Sequence, residues 1–245
     1  MDFHCHLDLY SNAREVYQEA CRRNAFTWLV TTSPKAFIAT SKVLGASPKV
    51  LITPGLHPEI AHERAGELGM LLQQMETVEA VGEVGLDGSP RFKATFELQQ
   101  KVFTAVVARC EELGGRTLSI HSRQAVKDVL AELKRYPRFG TAVLHWFSGT
   151  TAELKAADDF GCWFSVGPAM FNSKSGQILA ARLPRDRVVP ESDGPFAQVG
   201  GNPVMPWSMQ ETAQRLADAW ALPVDEARQV LETNSVRLLA LMRVR

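Results

Sequence analysis

The sequence predicts a parallel α/β barrel, and two observations predict it. Short β-branched or Leu-rich runs alternate with amphipathic stretches eight times along the 245 residues. Strict alternation of this kind implies a parallel sheet covered by helices, and eight units in this length match a (β/α)8 barrel. Histidines and carboxylates also gather where those runs end, which is where barrel active sites are built. A doubly wound open sheet is the alternative, but no Gly-x-Gly-x-x-Gly or phosphate-loop motif follows the first strand.

The opening run, Met1-Asp2-Phe3-His4-Cys5-His6-Leu7-Asp8, reads as the first strand, so His4 and His6 share a face. Cys5 between them is expected to point away and pack as a small hydrophobe. Ser11 is expected to cap a helix to about Asn24, with Val16, Ala20 and Cys21 as its buried stripe. Ala25 to Thr31 is the second strand, and Ser33-Pro34 starts a helix to about Gly45, with Pro in its first turn. Lys49 to Thr53 is the third strand, followed by Pro54-Gly55-Leu56-His57-Pro58 and a helix to about Glu76. Val78 to Glu83 is the fourth, with a long periodic helix from Phe92 to Leu113 that Gly114-Gly115 stops. Arg116 to His121, Thr141 to Trp146, Cys162 to Val166 and Arg187 to Glu191 are the remaining strands. Helices over Ser122 to Tyr136, Thr151 to Phe160 and Asn172 to Leu183 connect them. A Gly/Pro-rich loop from Gly194 to Pro206 then precedes terminal helices near Ser208 to Ala221 and Val224 to Leu241. No linker or internal repeat divides the chain, so residues 1–245 are expected to form one domain.

Bulk properties narrow the function. Hydrophobic content of 45% and charged content of 22% are those of an ordinary globular chain. The 27 basic and 27 acidic residues cancel, which argues against nucleic-acid binding through a broad basic surface. Neutrality does not exclude a nuclease, because bound divalent cations neutralise phosphates locally. Four scattered cysteines make no disulfide framework and fit a reducing compartment. With no long apolar run and no leader-like start, the chain reads as cytoplasmic, without membrane attachment.

Reading off the strand ends gives His4, His6, His57, Glu83, His121 and His145, with Asp193 just past the eighth strand. His62 alone falls in a polar, helical stretch. All but His57 of the strand-end set make an adequate ligand set for two divalent ions, and mixed imidazole and carboxylate donors do not by themselves choose the metal. Two such ions about 3.5–4 Å apart can share a water and clamp a displacement at phosphorus. Glu83 is the natural bridging carboxylate, and Asp193 could bind one ion and orient or deprotonate the attacking water. Arg123 could reach a substrate phosphate bidentately. Asp2 and Asp87 could each accept a hydrogen bond from a ligand histidine or simply cap a turn. Taken singly, Glu83, Asp193 and Arg123 read as turn, cap or surface residues. Their convergence is what sets them apart.

Taken together and in order, these motifs resemble the TatD family of metal-dependent hydrolases, relatives of the amidohydrolases. The resemblance rests on residues 2–8, Gly55-Leu56-His57-Pro58, Gly82-Glu83-Val84-Gly85-Leu86-Asp87, Ile120-His121-Ser122-Arg123, His145-Trp146-Phe147-Ser148-Gly149, Glu191-Ser192-Asp193-Gly194-Pro195 and the stretch Asn234 to Leu239. It implies a Mg2+- or Mn2+-supported deoxyribonuclease, with Zn2+ a further option, often a 3′-to-5′ exonuclease on single-stranded DNA. It also implies metal ligation by His4, His6, Glu83, His121, His145 and Asp193, with catalysis by Asp193 and Glu83 and substrate contacts from Arg123 and His57.

Departures from the family pattern concern the substrate. Gly88-Ser89-Pro90 replaces the usual aromatic, and no Lys or Arg lies between Arg187 and Arg215, which weakens the expected phosphate grip. Phe147, Phe171, Phe196 and Trp207 could stack on bases instead, although aromatics on barrel loops are commonly packing. The compact start resembles the short phage-defence branch of the family, the QatD-like proteins. The chain is expected to act on single-stranded DNA as a monomer, and that resemblance adds protein partners from a defence operon as a further option. Two other functions remain open: an amide or ester hydrolase of the same superfamily, such as an aminoacyl-tRNA deacylase, or a conditional metal-binding subunit of a larger defence complex. Glu83, where amidohydrolases often carry a modified lysine, favours the phosphodiesterase.

Overall fold

A computed structural model describes residues 1–243; the last two positions of the expected domain lie outside the described residues. Eight parallel strands appear in chain order: β1 (Asp2–Cys5), β2 (Thr27–Val30), β3 (Val50–Thr53), β4 (Ala80–Gly85), β5 (Arg116–His121), β6 (Gly140–His145), β7 (Trp163–Val166) and β8 (Val188–Pro190). They form two parallel sheets, β1-β2-β3 and β4 through β8. Individual backbone bonds join the two sheets into a barrel. At one seam Glu83 N–H donates to Thr31 O (3.1 Å) and Leu56 N–H to Glu83 O (2.9 Å). At the other, Asp193 N–H donates to His4 O and His6 N–H to Gly194 O, both at 2.9 Å. Both seams are therefore closed by backbone next to expected site residues.

Helices α1 (Ala13–Arg23), α2 (Pro34–Leu44), α3 (Ala61–Arg64), α4 (Leu68–Gln74), α5 (Phe96–Glu112), α6 (Val126–Arg135), α7 (Thr151–Phe160) and α8 (Lys174–Ala180) fill the strand-to-strand connections. Helices α9 (Met209–Trp220) and α10 (Val224–Leu241) end the chain. Strand alternation sorts the core. Leu118, Ile120, Leu144, Phe164 and Val188 pack among Phe103, Val106, Leu130, Leu154 and Leu216 of the helices. Their neighbours Val143, Trp163 and Val189 join Trp28, Val30 and Ala80 in a second cluster on the other strand face.

Several element boundaries differ from expectation for physical reasons. Asn12, not Ser11, precedes α1, and no side chain caps it; Tyr17 rather than Cys21 completes its buried stripe. The continuous helix expected before β4 is broken by 3-10 turns at Ala65–Glu67, where Gly66 weakens helix propensity, and at Met75–Thr77. Helix α6 starts at Val126 rather than Ser122, because Gln124 sits at φ 51°, in the left-handed region. Ser173 caps α8 through Gly176 N–H (3.0 Å), so the helix starts at Lys174 rather than Asn172, which instead ends a 3-10 turn over Pro168–Asn172. The loop after residue 194 contains a small antiparallel hairpin, β9 (Gln198–Val199) with β10 (Asn202–Pro203), turning on Gly200-Gly201 at φ 59° and 79°. Among the described residues, no helix is long and apolar enough to cross a membrane.

Candidate metal centre

The buried side chains of His4, His6, Glu83, His145 and Asp193 meet at the C-terminal mouth of the strands, with His57 and His121 slightly more open. Glu83 is the hub. Its Oε2 faces His6 Nε2 (3.2 Å) and His4 Nε2 (3.5 Å). Its Oε1 faces His145 Nε2 (2.8 Å), His121 Nδ1 (3.0 Å) and His57 Nε2 (3.1 Å). Asp193 Oδ1 closes the first side at 3.5 Å from His4 Nε2 and 3.8 Å from His6 Nε2. The His4 and His145 rings stack at 3.9 Å between centroids, tying the two sides together.

A bulge brings Glu83 to this point. Val81 and Val84 both belong to the helix-facing cluster although three residues apart, because the ladder with β5 shifts register between them. The extra residue re-aims Glu83 toward the interior, as bulges do beside active sites. Gly55 lets the following loop pass: a Cβ there would overlap the Glu83 backbone and Thr31 O. Three non-glycine residues next to the site adopt positive φ: Gln124 (51°), Trp146 (35°) and Asp193 (47°). Left-handed backbone costs about 1–2 kcal/mol per L-residue, and such strain concentrates at functional sites. Two of these residues are held by their own N–H groups, Trp146 donating to Glu191 Oε1 (2.9 Å) and Asp193 to His4 O.

The donor set fits divalent cations. His4 Nε2 and Glu83 Oε2, which face each other across the centre, are buried without hydrogen bonds, an arrangement costly for a site meant to hold only protein atoms. Asp2, Glu83, Glu191 and Asp193 are all buried, and among the described residues none pairs with lysine or arginine. Their titration reports this crowding. Burial pushes Asp2 up to about 7 and Glu191 to about 8. Burial, with Glu191 and Glu83 nearby, raises Asp193 well above the carboxylate range. Burial also opposes charge on Glu83, but the surrounding imidazoles outweigh it and hold the carboxyl well below its usual value. His4 is held neutral, chiefly by burial.

Imidazole tautomers separate ligand positions from supports. Ser119 Oγ lies 2.7 Å from His4 Nδ1; with the proton there, the Nε2 lone pair is free for a cation. Asp87 fills both roles open to it: its Oδ1 accepts from Ser89 N–H (2.8 Å) in the turn, and its Oδ2 lies 2.8 Å from His121 Nε2, which directs Nδ1 to the centre. In the bare site both His121 nitrogens face carboxylates. Burial disfavours its charge, but Asp87 and Glu83 prevail and raise it to about 9. His57 Nδ1 accepts from Glu59 N–H (3.1 Å), so the neutral ring carries its proton on Nε2 and donates to Glu83. Proximity alone would group His57 with Glu83 and His121 as ligands, but a protonated nitrogen cannot ligate, so we place His57 outside the set.

Asp2 does not meet a histidine ring. Its carboxylate accepts from His4 N–H (3.1 Å) and from Ser192 N–H (3.0 Å) and Oγ (2.6 Å), stitching β1 to the Asp193 loop. Arg123 stands exposed at the mouth, where Gly88 N–H donates to its carbonyl, and its side chain has no ion pair among the described residues. His62 lies outside the cluster, exposed beside Glu63. Sequence reasoning missed Ser119, Ser192, Glu191 and Glu59. Ser119 was detectable as the residue two before His121 on the same strand face. Glu191 lay in a quoted motif without a role.

A parallel α/β barrel whose strand ends converge on buried imidazoles and carboxylates defines the barrel metallohydrolase class. Within that class, the chain belongs to the TatD-related DNase family, whose model matches residues 1–240. It is 25% identical to Deoxyribonuclease TATDN3 of Homo sapiens, over 99% of this chain and 95% of that protein. It is 33% identical to the 3′-5′ ssDNA/RNA exonuclease TatD of Edwardsiella piscicida, over 59% of this chain and 57% of that one. The crystal structure of YJJV, a TatD homolog from Escherichia coli, superposes with a TM-score of 0.85 at 24% identity, covering 96% of this chain and 95% of that one, which establishes the fold.

Proposed function

We propose that the protein is a metal-dependent deoxyribonuclease that degrades single-stranded DNA from the 3′ end. We assign His4, His6, Glu83 and Asp193 to one divalent ion and Glu83, His121 and His145 to a second, with Mg2+ or Mn2+ the natural occupants. The observation that carries the reading is Glu83, whose two oxygens divide between opposite histidine groups. That is the arrangement a bridging carboxylate requires. The 3′-5′ ssDNA/RNA exonuclease activity for which the Edwardsiella relative is named supports the substrate and polarity.

Divalent ions there would supply Lewis-acid polarisation of the phosphodiester and lower the pKa of water. Asp193, at the open side of His4 and His6, is placed to orient the attacking water and accept its proton. Asp87 holds the His121 ring by Nε2, and Ser119 holds His4 by Nδ1. Arg123 can present its guanidinium to phosphate oxygens, whereas the His57 Nε2–H is directed to Glu83. Residues 1–245 would act as one domain, and the four free cysteines suit a reducing compartment.

End-labelled single-stranded DNA, incubated with purified protein and Mg2+, Mn2+ or Zn2+, tests the proposal directly. Laddering from the 3′ end that chelator abolishes, and that Asp193→Ala and Glu83→Ala lose by about 10³-fold or more while remaining folded, is expected. Full activity of Glu83→Ala would remove its bridging role. Absence of cleavage by metal-loaded wild type would turn the substrate assignment toward amides or esters.

A further inference from the structure

Phe196 is the one exposed aromatic side chain among the described residues, 58% accessible. The other aromatics expected near the mouth are occupied by packing. Phe147 is buried edge-on against Phe164, Phe171 is buried in the helix-side core, and the Arg23 guanidinium covers the Trp207 ring at 4.6 Å.

The exposure of Phe196 does not come from a loose loop. Ala197 N–H donates to Asp193 O (2.9 Å), closing a turn around Phe196, and Val204 N–H donates to Ala197 O (2.9 Å). Ala197 is buried with Ala169 and Val204, while the ring beside it stays outside that cluster. The backbone is pinned on the side after Phe196 and at Asp193 before it. The ring stands 5.1 Å from the His6 ring at 77°, between centroids. A perpendicular contact leaves at least one face of Phe196 free. The ring adjoins an imidazole whose Nε2 is 3.2 Å from Glu83, so it flanks the place where a scissile phosphate would bind.

What such a face recognises follows from its chemistry. Every nucleobase has a π-face, and stacking on a protein aromatic is sequence-tolerant. Residues 188–214 contain neither lysine nor arginine, so this segment offers no cationic side chain with which to grip phosphates instead. We propose that Phe196 is the stacking platform for the nucleobase next to the scissile phosphate. This rests on the nuclease reading above.

The test pairs protein and substrate truncations. Wild type, Phe196→Leu and Phe196→Trp are assayed on single-stranded oligonucleotides that are intact or abasic at one of the two 3′-terminal positions. Phe196→Leu is expected to raise KM on the intact strand about tenfold or more, with kcat within about twofold, and Phe196→Trp to restore it. Removing the base should cost wild type a comparable factor and the Leu variant little more, because both changes delete one contact. Unchanged KM in Phe196→Leu, penalties that multiply, or no loss by wild type on either abasic strand would overturn the stacking role while leaving the nuclease intact. Failure of metal-loaded wild type to cleave any of these strands would overturn both readings together.

Discussion

At the scale of single residues, the centre is set by which imidazole nitrogen faces inward, and hydrogen bonds from outside the cluster decide that. Ser119 on His4 and Asp87 on His121 are the two such partners. Removing a partner of this kind typically lowers metal affinity about 10–100-fold. Ser119→Ala is therefore expected to weaken Mn2+ binding within that range, read by isothermal titration calorimetry, with little change in thermal stability. His121 supplies a pH dependence. Its charged form, raised to about 9 without metal, must lose a proton before Nδ1 can ligate. Below about 9 protons thus compete with the cation, so affinity should rise with pH by up to about tenfold per unit for each proton displaced. Calorimetry in buffers of different ionisation heat should detect the released protons. Affinity independent of pH between 6 and 8 would place ligation elsewhere.

At the scale of elements, strand residues were legible where period-two alternation continued unbroken, and obscure where a bulge or a left-handed residue intervened. His121 and His145 end β5 and β6 as expected. Glu83 lies inside β4 rather than at its end, and only the register shift beside it turns it inward. Helices with a clear cap were the best defined. Helix α7 runs from Thr151 to Phe160 as expected, because Thr150 and Glu153 form a reciprocal capping box. Thr150→Ala should cost about 1 kcal/mol, measurable by urea unfolding, without altering metal affinity. A large loss of activity without loss of stability would give the β6–α7 loop a further role.

For the whole molecule, charge decides the grip on substrate. The 27 basic residues balance the 27 acidic ones, and many of the basic side chains are committed to surface ion pairs such as Arg22–Glu19 and Arg135–Glu132. Arg123 at the mouth remains free of ion pairs among the described residues. A single strand held at one or two phosphates should show log affinity falling with log salt at a slope no steeper than about −1.5. Fluorescence anisotropy of a labelled oligonucleotide across a salt series, in Ca2+, measures it. A slope of several units would mean a wider basic track than the structure contains.

Chain order and local pattern determined the eight strand–helix units, the family and the positions of His4, His6, His121, His145 and Asp193, because strand ends and alternation are local properties. The tertiary structure decided what depends on residues distant in sequence. Asp193 reaches the centre because its N–H pairs with His4 O across a seam 189 residues apart in the chain, and Gly194 clears the space where Tyr10 meets Val204 O. Phe196 stays exposed beside His6 while Phe147 and Phe171 are buried, a division that composition cannot show because it depends on which faces the folded loops leave uncovered.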